Sequence, residues 1–290
     1  MNRCLAFLVA LLFSAVTVSS ACSAAPSDWI GFTLEPQRGR SEIRATFRDE
    51  SRGAGESRWS TGFPPSQLIG FDISGFRSVG TRPVRFAIVR EAGRLDCSGT
   101  GGNSFARGSC AFTADPAFTQ LLAGRGIARP TREQAFGLMS LDVRRDLIDA
   151  IAAARYPAPS IDDLMAMTAV GVTGRYVSDL ARLGYRPAST HRLVEFKALG
   201  ITPEFIGGFA RIGYPNIDAD DLVQLKALDI TPAYVAGFRR VGYGHLPVDT
   251  LVQFKALNIT PEFVEAVDRE PGPLPSTSEL VQRKALGRRR

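Results

Sequence analysis

Hydrophobic residues follow two different patterns along this chain of 290 residues. From about residue 28 to residue 115 they alternate with polar residues in short runs that turn-forming residues separate: DWIGFTLEP, SEIRATFRDE, RPVRFAIVREAG, GRLDCSG and GSCAFTAD. Alternation with a period of two is typical of strands that bury one face. From residue 131 onward, apolar residues recur every three or four positions, which is the period of an amphipathic helix. The pattern therefore predicts an α+β protein, with a small antiparallel β-domain followed by helices.

The helical part repeats a unit of 29 residues. Its clearest marker is the dipeptide Gly-Tyr at residues 184–185, 213–214 and 242–243, and weaker copies of the same pattern extend in both directions. Five copies and the first half of a sixth fit between residues 131 and 287. A repeat of this kind is typical of solenoids, because one helical hairpin cannot bury its apolar face without its neighbours. We therefore expect a solenoid of helical hairpins.

Each unit predicts two short helices. The first should end where residues tolerate a left-handed backbone, and the second should begin with a capping threonine followed by proline. The expected ends of first helices are Gly171, Gly200, Asp229 and Asn258, and the Thr-Pro pairs stand at residues 202–203, 231–232 and 260–261. In one unit the spacing places Leu222, Leu225 and Leu228 on a single helix face, and we expect Leu222 and Leu225 to pack against their equivalents in the neighbouring units.

The first residues have the features of a secretory signal peptide. Arg3 precedes an apolar run from Leu5 to Val18, and small residues follow up to Ala25. This run is too short to span a bilayer comfortably, and we expect no transmembrane segment in the mature chain. The chain then divides into a signal peptide at 1–24, a β-rich domain at 25–115, a connector at 116–130, the helical array at 131–287 and a basic tail at 288–290.

Cleavage of this signal leaves two alternatives open. Cleavage after Ala21 or Ala24 would release a periplasmic or secreted protein. Cleavage just before Cys22 would instead leave a cysteine ready for lipid attachment, which would give an outer-membrane lipoprotein with an N-terminal anchor.

Export also gives a role to the remaining cysteines. Cys97 and Cys110 are the pair certain to reach an oxidising compartment, and we expect them to form a disulfide. The bridge would cross a hairpin whose loop is the glycine-rich stretch GTGGNS, which begins at Gly99. Two buried free thiols are the alternative. A metal site is not expected, because neither cysteine has a CxxC partner or a histidine nearby in sequence.

The net charge of +6 comes with an uneven distribution of lysine. Every lysine of the chain occupies the same position in successive units, whereas all other cationic residues are arginines; the lysines are Lys197, Lys226, Lys255 and Lys284. A row of like charges is a candidate contact strip for an acidic protein, a polysaccharide or an anionic surface. The alternative is that this position simply faces water and was copied with the repeat. Nucleic acid is a common partner of basic chains, but export argues against it.

Several segments together resemble a known bacterial family. FAIVREAGRLDCSGT, GSCAFTADPAFTQLLAGRGI and tandem units such as LVQFKALNITPEFV are similar to the extracytoplasmic C-terminal extension of membrane metallopeptidases of the beta-lactam-sensor, antirepressor type. The resemblance covers nearly all of the mature chain and implies an accessory part of such a sensor. The peptidase of those sensors depends on an HExxH helix, and here His191 and His245 stand outside any such motif. The resemblance therefore implies no catalytic domain.

No other motif indicates an enzyme. The sequence has no GxSxG motif, and its glycine-rich stretch lacks the lysine of a P-loop. The carboxylate pairs at 162–163 and 220–221 recur at expected helix N-termini, where the helix dipole favours negative charge. We expect a non-catalytic scaffold without cofactors, which binds an unidentified extracytoplasmic protein in envelope sensing or signalling. The alternative is a carbohydrate or cell-envelope binding module, with the β-domain as the reader and the repeats as a spacer.

Overall fold

The structure is a computed structural model that describes residues 29–37, 39, 41–49, 57–186, 188–268 and 273–287. The expected signal peptide, Cys22 and the basic tail lie outside these residues. One antiparallel sheet comes first and is followed by a series of short helices, which confirms the α+β class.

The sheet contains six strands in the order β3-β2-β1-β6-β5-β4. They are β1 Trp29–Pro36, β2 Ile43–Asp49, β3 Ser57–Phe63, β4 Arg82–Arg90, β5 Gly93–Gly102 and β6 Phe105–Ala114. Two three-stranded meanders, β1 to β3 and β4 to β6, are joined by antiparallel pairing of β1 with β6. Sequence reasoning found every strand except β3, because SRWSTGF offers few apolar residues to alternate.

One face of the sheet is apolar and buried, and the other is polar and exposed. On β1 the buried side carries Ile30, Phe32 and Leu34. The short helix α1, Ile73–Arg77, lies against β4, β5 and β6 and buries Phe76. Since successive side chains of a strand point to opposite faces, the alternation in the sequence indicates which side chains face the core.

Cys97 and Cys110 face each other across β5 and β6, with their sulfur atoms at bonding distance. The pair therefore has the disulfide geometry that the sequence predicted. It belongs to a row on the buried face, between Ile30 of β1 and Phe86 of β4. The bridge is thus part of the core of the sheet.

The hairpin around this bridge is tighter than expected. Its turn consists of Asn103 and Ser104, both with positive φ, as a two-residue primed turn requires. The stretch from Gly99 to Gly102 belongs to β5, so the prediction of a glycine-rich loop was wrong. Glycine is needed in the strand for close approach, because a Cβ at Gly99 would lie 2.1 Å from the carbonyl oxygen of Arg107 on β6.

The helical part begins with α2, Pro116–Gly124, in the expected connector. The helices of the array are α3 Arg132–Leu141, α4 Arg145–Ala153, α5 Ile161–Ala169, α6 Gly174–Arg182, α7 Thr190–Ala198, α8 Pro203–Arg211, α9 Ala219–Ala227, α10 Pro232–Arg240, α11 Val248–Ala256, α12 Pro261–Asp268 and α13 Thr277–Ala285. Odd-numbered helices are the first and even-numbered helices the second of each pair. Helices pack on their equivalents in the next pair, as α3 does on α5, α4 on α6 and α10 on α12.

The ends of these helices follow the signals in the sequence. Thr202, Thr231 and Thr260 accept hydrogen bonds from backbone N–H groups three residues later, at 3.2, 3.2 and 3.3 Å. The first helices end at left-handed residues, with φ of 81° at Gly171, 71° at Gly200, 52° at Asp229 and 54° at Asn258. These local signals set the length of each helix and the turn that follows it.

The hydrophobic core does not divide where the pattern of hydrophobic residues changes from that of strands to that of helices. One contiguous cluster of buried residues runs from Ile30 in the sheet to Leu222 in α9, and a second runs from Phe209 in α8 to Leu280 in α13. The half-buried Phe205 and Ile217 contact both clusters. The sheet therefore shares one core with the first helix pairs, and the boundary between the two clusters lies inside the array.

Arg90, the last residue of β4, joins the sheet to the first helix pair. Its guanidinium donates hydrogen bonds to the carbonyl oxygens of Met139 and Ser140, at 2.8 and 2.6 Å, at the C-terminal end of α3. The same group lies 5.5 Å from the ring centroid of Trp59 and 3.8 Å from the carboxylate of Asp142. Burial lowers the pKa of Arg90, and the negative end of the helix dipole favours its charge.

Candidate interaction surfaces

Each lysine of the row lies over an aromatic ring of the preceding unit. The distances from Nζ to the ring centroid are 4.9 Å for Lys197 and Tyr176, 5.1 Å for Lys226 and Phe205, 5.1 Å for Lys255 and Tyr234, and 4.6 Å for Lys284 and Phe263. A cation in this position is attracted by the electron-rich face of the ring. The row therefore links neighbouring units, which its spacing in the sequence did not predict.

The same lysines approach the C-terminal end of a first helix. The Nζ of Lys255 donates a hydrogen bond of 2.9 Å to the carbonyl oxygen of Asp229. A Cβ at Gly200 would lie 3.7 Å from the Cε of Lys226. The side chain of Lys226 therefore passes close to the turn that ends the first helix of the preceding unit. Positive charge is favoured at a helix C-terminus. The lysines are half-buried and contribute to the packing of each unit on the preceding one. Their use as a contact strip stays a prediction.

Exposed apolar residues recur at the C-terminal ends of the first helices. The C-cap residues of α5, α7, α9 and α13 are Val170, Leu199, Leu228 and Leu286, with exposed fractions of 36, 39, 37 and 69%. Leu222 and Leu225 are buried as predicted, whereas Leu228, which the spacing placed on the same helix face, is exposed. We call this surface the Lys-Leu edge, formed by Lys197, Leu199, Lys226, Leu228, Lys255, Leu257, Lys284 and Leu286.

The helix C-terminus explains why these leucines remain at the surface. After Leu199 the chain turns at Gly200, and the N–H of Ile201 bonds back to the carbonyl of Phe196 at 2.8 Å. This brings Ile201 into the core, where it is fully buried. After the turn, Ile201 makes the apolar contact with the core, and Leu199, two residues earlier, points outward. The recurring sequence Lys-Ala-Leu before the turn is the signal that could have revealed this edge.

The exposed face of the sheet carries a second candidate site, a shallow polar depression of about 590 Å³. Two rows of register partners form it across β2, β1, β6 and β5: Arg48, Gly31, Ser109 and Ser98, then Thr46, Thr33, Arg107 and Thr100. Gly31 leaves the centre of the first row without a side chain. Trp29, on the same face of β1, has 53% of its surface exposed. Hydroxyl and guanidinium groups in such rows suit a hydroxylated or anionic ligand.

Both histidines occupy structural positions outside any cluster. His191 is the second residue of α7 and is exposed. His245 lies between α10 and α11 and stacks on Tyr214, with ring centroids 4.0 Å apart. Within the described part of the chain, no group of three or more potential ligands could hold a metal ion. Over the same residues, no helix is long and apolar enough to cross a membrane.

The carboxylate pairs lie in the first turns of helices. Asp162 and Asp163 belong to α5, and Asp220 and Asp221 belong to α9. Burial, reinforced by nearby carboxylates of which Asp218 is the strongest, raises the pKa of Asp221. All four side chains lie at helix N-termini, where the sequence placed them. None of these contacts resembles an acid and a base held for catalysis.

Comparison with family models, with curated proteins and with solved structures finds no match for this chain. The function must therefore be inferred from the surfaces themselves.

Proposed function

We propose that the protein is a non-catalytic exported scaffold that binds a protein partner through the Lys-Leu edge, in envelope sensing or signalling. The observation that carries the proposal is an exposed leucine two residues after a half-buried lysine, which is present at Leu199, Leu228 and Leu286 in three of the four units that have the lysine. Single exposed leucines are ordinary, whereas apolar residues gathered along one edge are typical of a contact surface. The signal-like first residues and the disulfide pair support export.

The partner that fits this edge is a protein segment with apolar side chains and carboxylates. Its apolar side chains would cover Leu199, Leu228 and Leu286, which removes apolar surface from water. Its carboxylates would meet the lysines, because an ammonium group that lies over a ring keeps N–H donors for a further acceptor. Since the units repeat, an extended partner would make the same contact several times.

The decisive experiment compares three baits on the same envelope extract. The first is the mature protein, the second carries Leu199→Ser, Leu228→Ser and Leu286→Ser, and the control carries Val79→Ser, Val89→Ser and Leu183→Ser. The control residues are also exposed, at 87, 51 and 46%, but lie away from the edge. We expect one partner to be captured by the first and third baits and lost from the second. Purified partner should then bind more weakly as salt rises.

Equal capture by all three baits would argue against the edge as the binding surface. A partner lost from both variants would point to a general loss of structure, which circular dichroism of the two variants would reveal. In that case single substitutions at Leu199 and Leu183 separate the two causes, because a partially exposed leucine contributes little to stability.

A second function has its own supporting observation, the polar depression on the sheet with Trp29 on the same face. An exposed tryptophan beside hydroxyl and guanidinium groups is a plausible reader of an envelope glycan, with the array as a spacer. Sedimentation with isolated peptidoglycan tests this alternative. Trp29→Ala with Arg107→Gln should abolish sedimentation if the sheet is the reader, and the leucine variant of the edge should sediment like the unmodified protein.

A further inference from the structure

The exposed face of the sheet is strongly basic. By the alternation of side chains along the strands, it carries exposed arginines and few carboxylates: Arg44, Arg48, Arg58, Arg85, Arg94 and Arg107, against Glu35 and Asp96. Arg94 and Asp96 form an ion pair of 2.7 Å with each other, so their charges cancel locally. The remaining arginines give this face a positive potential, which favours an anionic partner.

Most of these arginines occupy two neighbouring rows of register partners. The first row crosses the whole sheet and consists of Arg58, Arg48, Gly31, Ser109, Ser98 and Arg85. The second row carries Arg107 between Thr33 and Thr100. Glycine, serine and threonine stand between the arginines and line the polar depression. Because arginine is much longer than these residues, a flat surface that approaches this face meets the guanidinium groups first.

Aromatic side chains lie at the two ends of the same face. Trp29, at the start of β1, has 53% of its surface exposed, and Phe105, at the start of β6, has 42%. The two strands are antiparallel and Leu34 pairs with Ala106, so Phe105 lies at the far end of β1. The rise of a strand then separates Phe105 from Trp29 by roughly 20 Å. The two rings therefore stand on opposite sides of the arginine rows.

This combination fits a lipid bilayer better than a glycan. Anionic phospholipids carry their charge on a phosphate, which arginine binds through two parallel hydrogen bonds. Tryptophan is favoured at the boundary between headgroups and acyl chains. A sugar ring cannot stack on two aromatic residues at opposite ends of the face. A bilayer is flat and anionic, so it can contact the arginines and both rings at once.

We propose that the exposed face of the sheet docks on a bilayer that contains anionic phospholipids. Arg58, Arg85 and Arg107 bind the phosphates, and Trp29 and Phe105 enter the headgroup region. This binding is independent of the Lys-Leu edge and of the protein partner proposed for it.

Docking in this orientation leaves the array accessible. Helix α3 packs on the opposite face of the sheet, where Phe136 contacts Phe112 of β6 with ring centroids 5.6 Å apart. If Cys22 carries a lipid, the chain from Cys22 to Trp29 spans at most about 25 Å. The anchor and the exposed face of the sheet would then reach the same bilayer.

Vesicle sedimentation tests the proposal with residues 25–290, which lack Cys22 and therefore carry no lipid. Vesicles of phosphatidylcholine and phosphatidylglycerol should bind this protein, and vesicles of phosphatidylcholine alone should not. Arg58→Gln, Arg85→Gln and Arg107→Gln together should weaken binding about a hundredfold, since each arginine near an anionic surface contributes about fivefold. Binding should also weaken as salt rises.

The matched control removes the same charge from the array. It replaces three exposed arginines that share one position of the repeat: Arg182→Gln, Arg211→Gln and Arg240→Gln. This variant should bind the anionic vesicles nearly as well as the unmodified protein. Lysine in place of the three arginines of the sheet keeps the charge and should retain most of the binding. If the glutamine variant of the sheet does not fold, its three single substitutions replace it, each with a loss of about fivefold.

Trp29 reports which surface touches the bilayer. Phosphatidylcholine with brominated acyl chains, mixed with phosphatidylglycerol, quenches a tryptophan that enters the bilayer. We expect quenching in the unmodified protein and its loss in Trp29→Phe. The other tryptophan, Trp59, is half-buried and stacks on Phe47, so it should contribute little.

Four results would overturn the proposal. Absence of binding to the anionic vesicles does so directly, and an equal loss in the array control would mean that only net charge matters. Binding without quenching of Trp29 would place the contact on another surface. Sedimentation with isolated peptidoglycan but not with vesicles would assign the face to a glycan. The variant with serine at the three leucines of the Lys-Leu edge should bind vesicles like the unmodified protein, so the two proposals can fail separately.

Discussion

The sheet and the helical array use different aromatic chemistry. Both tryptophans, Trp29 and Trp59, are in the sheet, whereas all six tyrosines and every lysine are in the array. In the sheet, rings pack on rings, as Trp59 does on Phe47 with centroids 5.0 Å apart. In the array, rings also connect one unit to the next through polar groups. The difference shows how repeated units, each with little core of its own, gain specific contacts with their neighbours.

Tyrosine hydroxyl groups make many of these connections. Tyr176 donates a hydrogen bond of 2.7 Å to the carbonyl of Ile201, and Tyr234 donates one of 2.7 Å to the carbonyl of Ile259. Each acceptor lies just before the second helix of the following unit. The hydroxyl therefore fixes the position of the second helix in the following unit. The lysine of that following unit lies over the face of the same tyrosine ring.

The largest expected effect is selective loss of the array at alkaline pH. Burial raises the pKa of Tyr156, Tyr185 and Tyr234 to about 12, against about 10 for tyrosine in an unfolded chain. Because these pKa values are raised in the folded state, their stabilising contribution is complete below pH 10 and is lost as pH rises towards 12. Helical circular dichroism should fall in this window, first from the later helix pairs around Tyr234, whose cluster is separate from that of the sheet, and tryptophan emission should change afterwards.

Tyr234→Phe provides the control for this titration, because other units have Phe205 and Phe263 at the equivalent position. The variant should lose less stability between pH 10 and pH 12 than the unmodified protein, although it also lacks one hydrogen bond. Simultaneous loss of both signals would show that the two regions unfold as one.

The disulfide should stabilise the sheet by about 3 kcal/mol, from the entropy of closing its short loop. Cys97→Ala with Cys110→Ala removes the bridge from the buried row that contains Ile30 and Phe86. Because the sheet shares a core with the first helix pairs, α3 to α6 should lose protection from hydrogen exchange with it. Protection of α10 to α12 should change less. Reduction of the unmodified protein should reproduce the same pattern, and uniform loss along the chain would contradict the division into two clusters.

Gly237→Ala should destabilise the later part of the array by roughly 1–3 kcal/mol. A Cβ at this position would lie 2.5 Å from the Cγ of Pro261, the first residue of α12. Alanine is otherwise favoured over glycine within a helix, so a loss of stability in thermal unfolding isolates the steric contact. Gly244→Ala is the matched control, because nothing lies within 4 Å of its Cβ. Equal unfolding temperatures for the two variants would mean that the units separate easily.

The smallest effect is expected for single lysines. Lys226→Met keeps an apolar stem but removes the charge over Phe205, which should cost about 0.5–1 kcal/mol. Lys255→Met should cost somewhat more, because Lys255 also bonds to the carbonyl of Asp229. Chemical denaturation measures both values. If neither variant loses stability, the lysines are free for a partner and the ring contacts contribute nothing measurable.

Local signals in the sequence predicted most of the secondary structure. Thr231 caps the start of α10 with its side chain, and Pro232 occupies the first position of that helix. Asp229 ends the preceding helix because it adopts a left-handed backbone conformation. Leu228 shares the spacing of Leu222 and Leu225 but is exposed, because the chain changes direction at the end of the helix and periodicity does not show this. The extent of β5 was missed because Gly99 is needed for strand contact, although glycine usually indicates a turn.

The candidate sites were harder to predict than the fold. The row of lysines was visible, but its aromatic partners are 21 residues away, for example Lys226 and Phe205, and meet only when units stack. The polar depression on the sheet depends on the pairing of β1 with β6, which no local pattern predicts.

The contact between each lysine and the ring of the preceding unit gives the array a direction. The lysine of each unit lies over a ring of the preceding unit, and a ring of the same unit lies under the lysine of the following unit. In one unit these two residues are Lys226 and Tyr234. A duplicated unit inserted between two others would therefore find both of its partners in place. Gene duplication can change the number of units without designing a new interface. The length of the exposed edge is thus a property that evolution can adjust in steps of one unit.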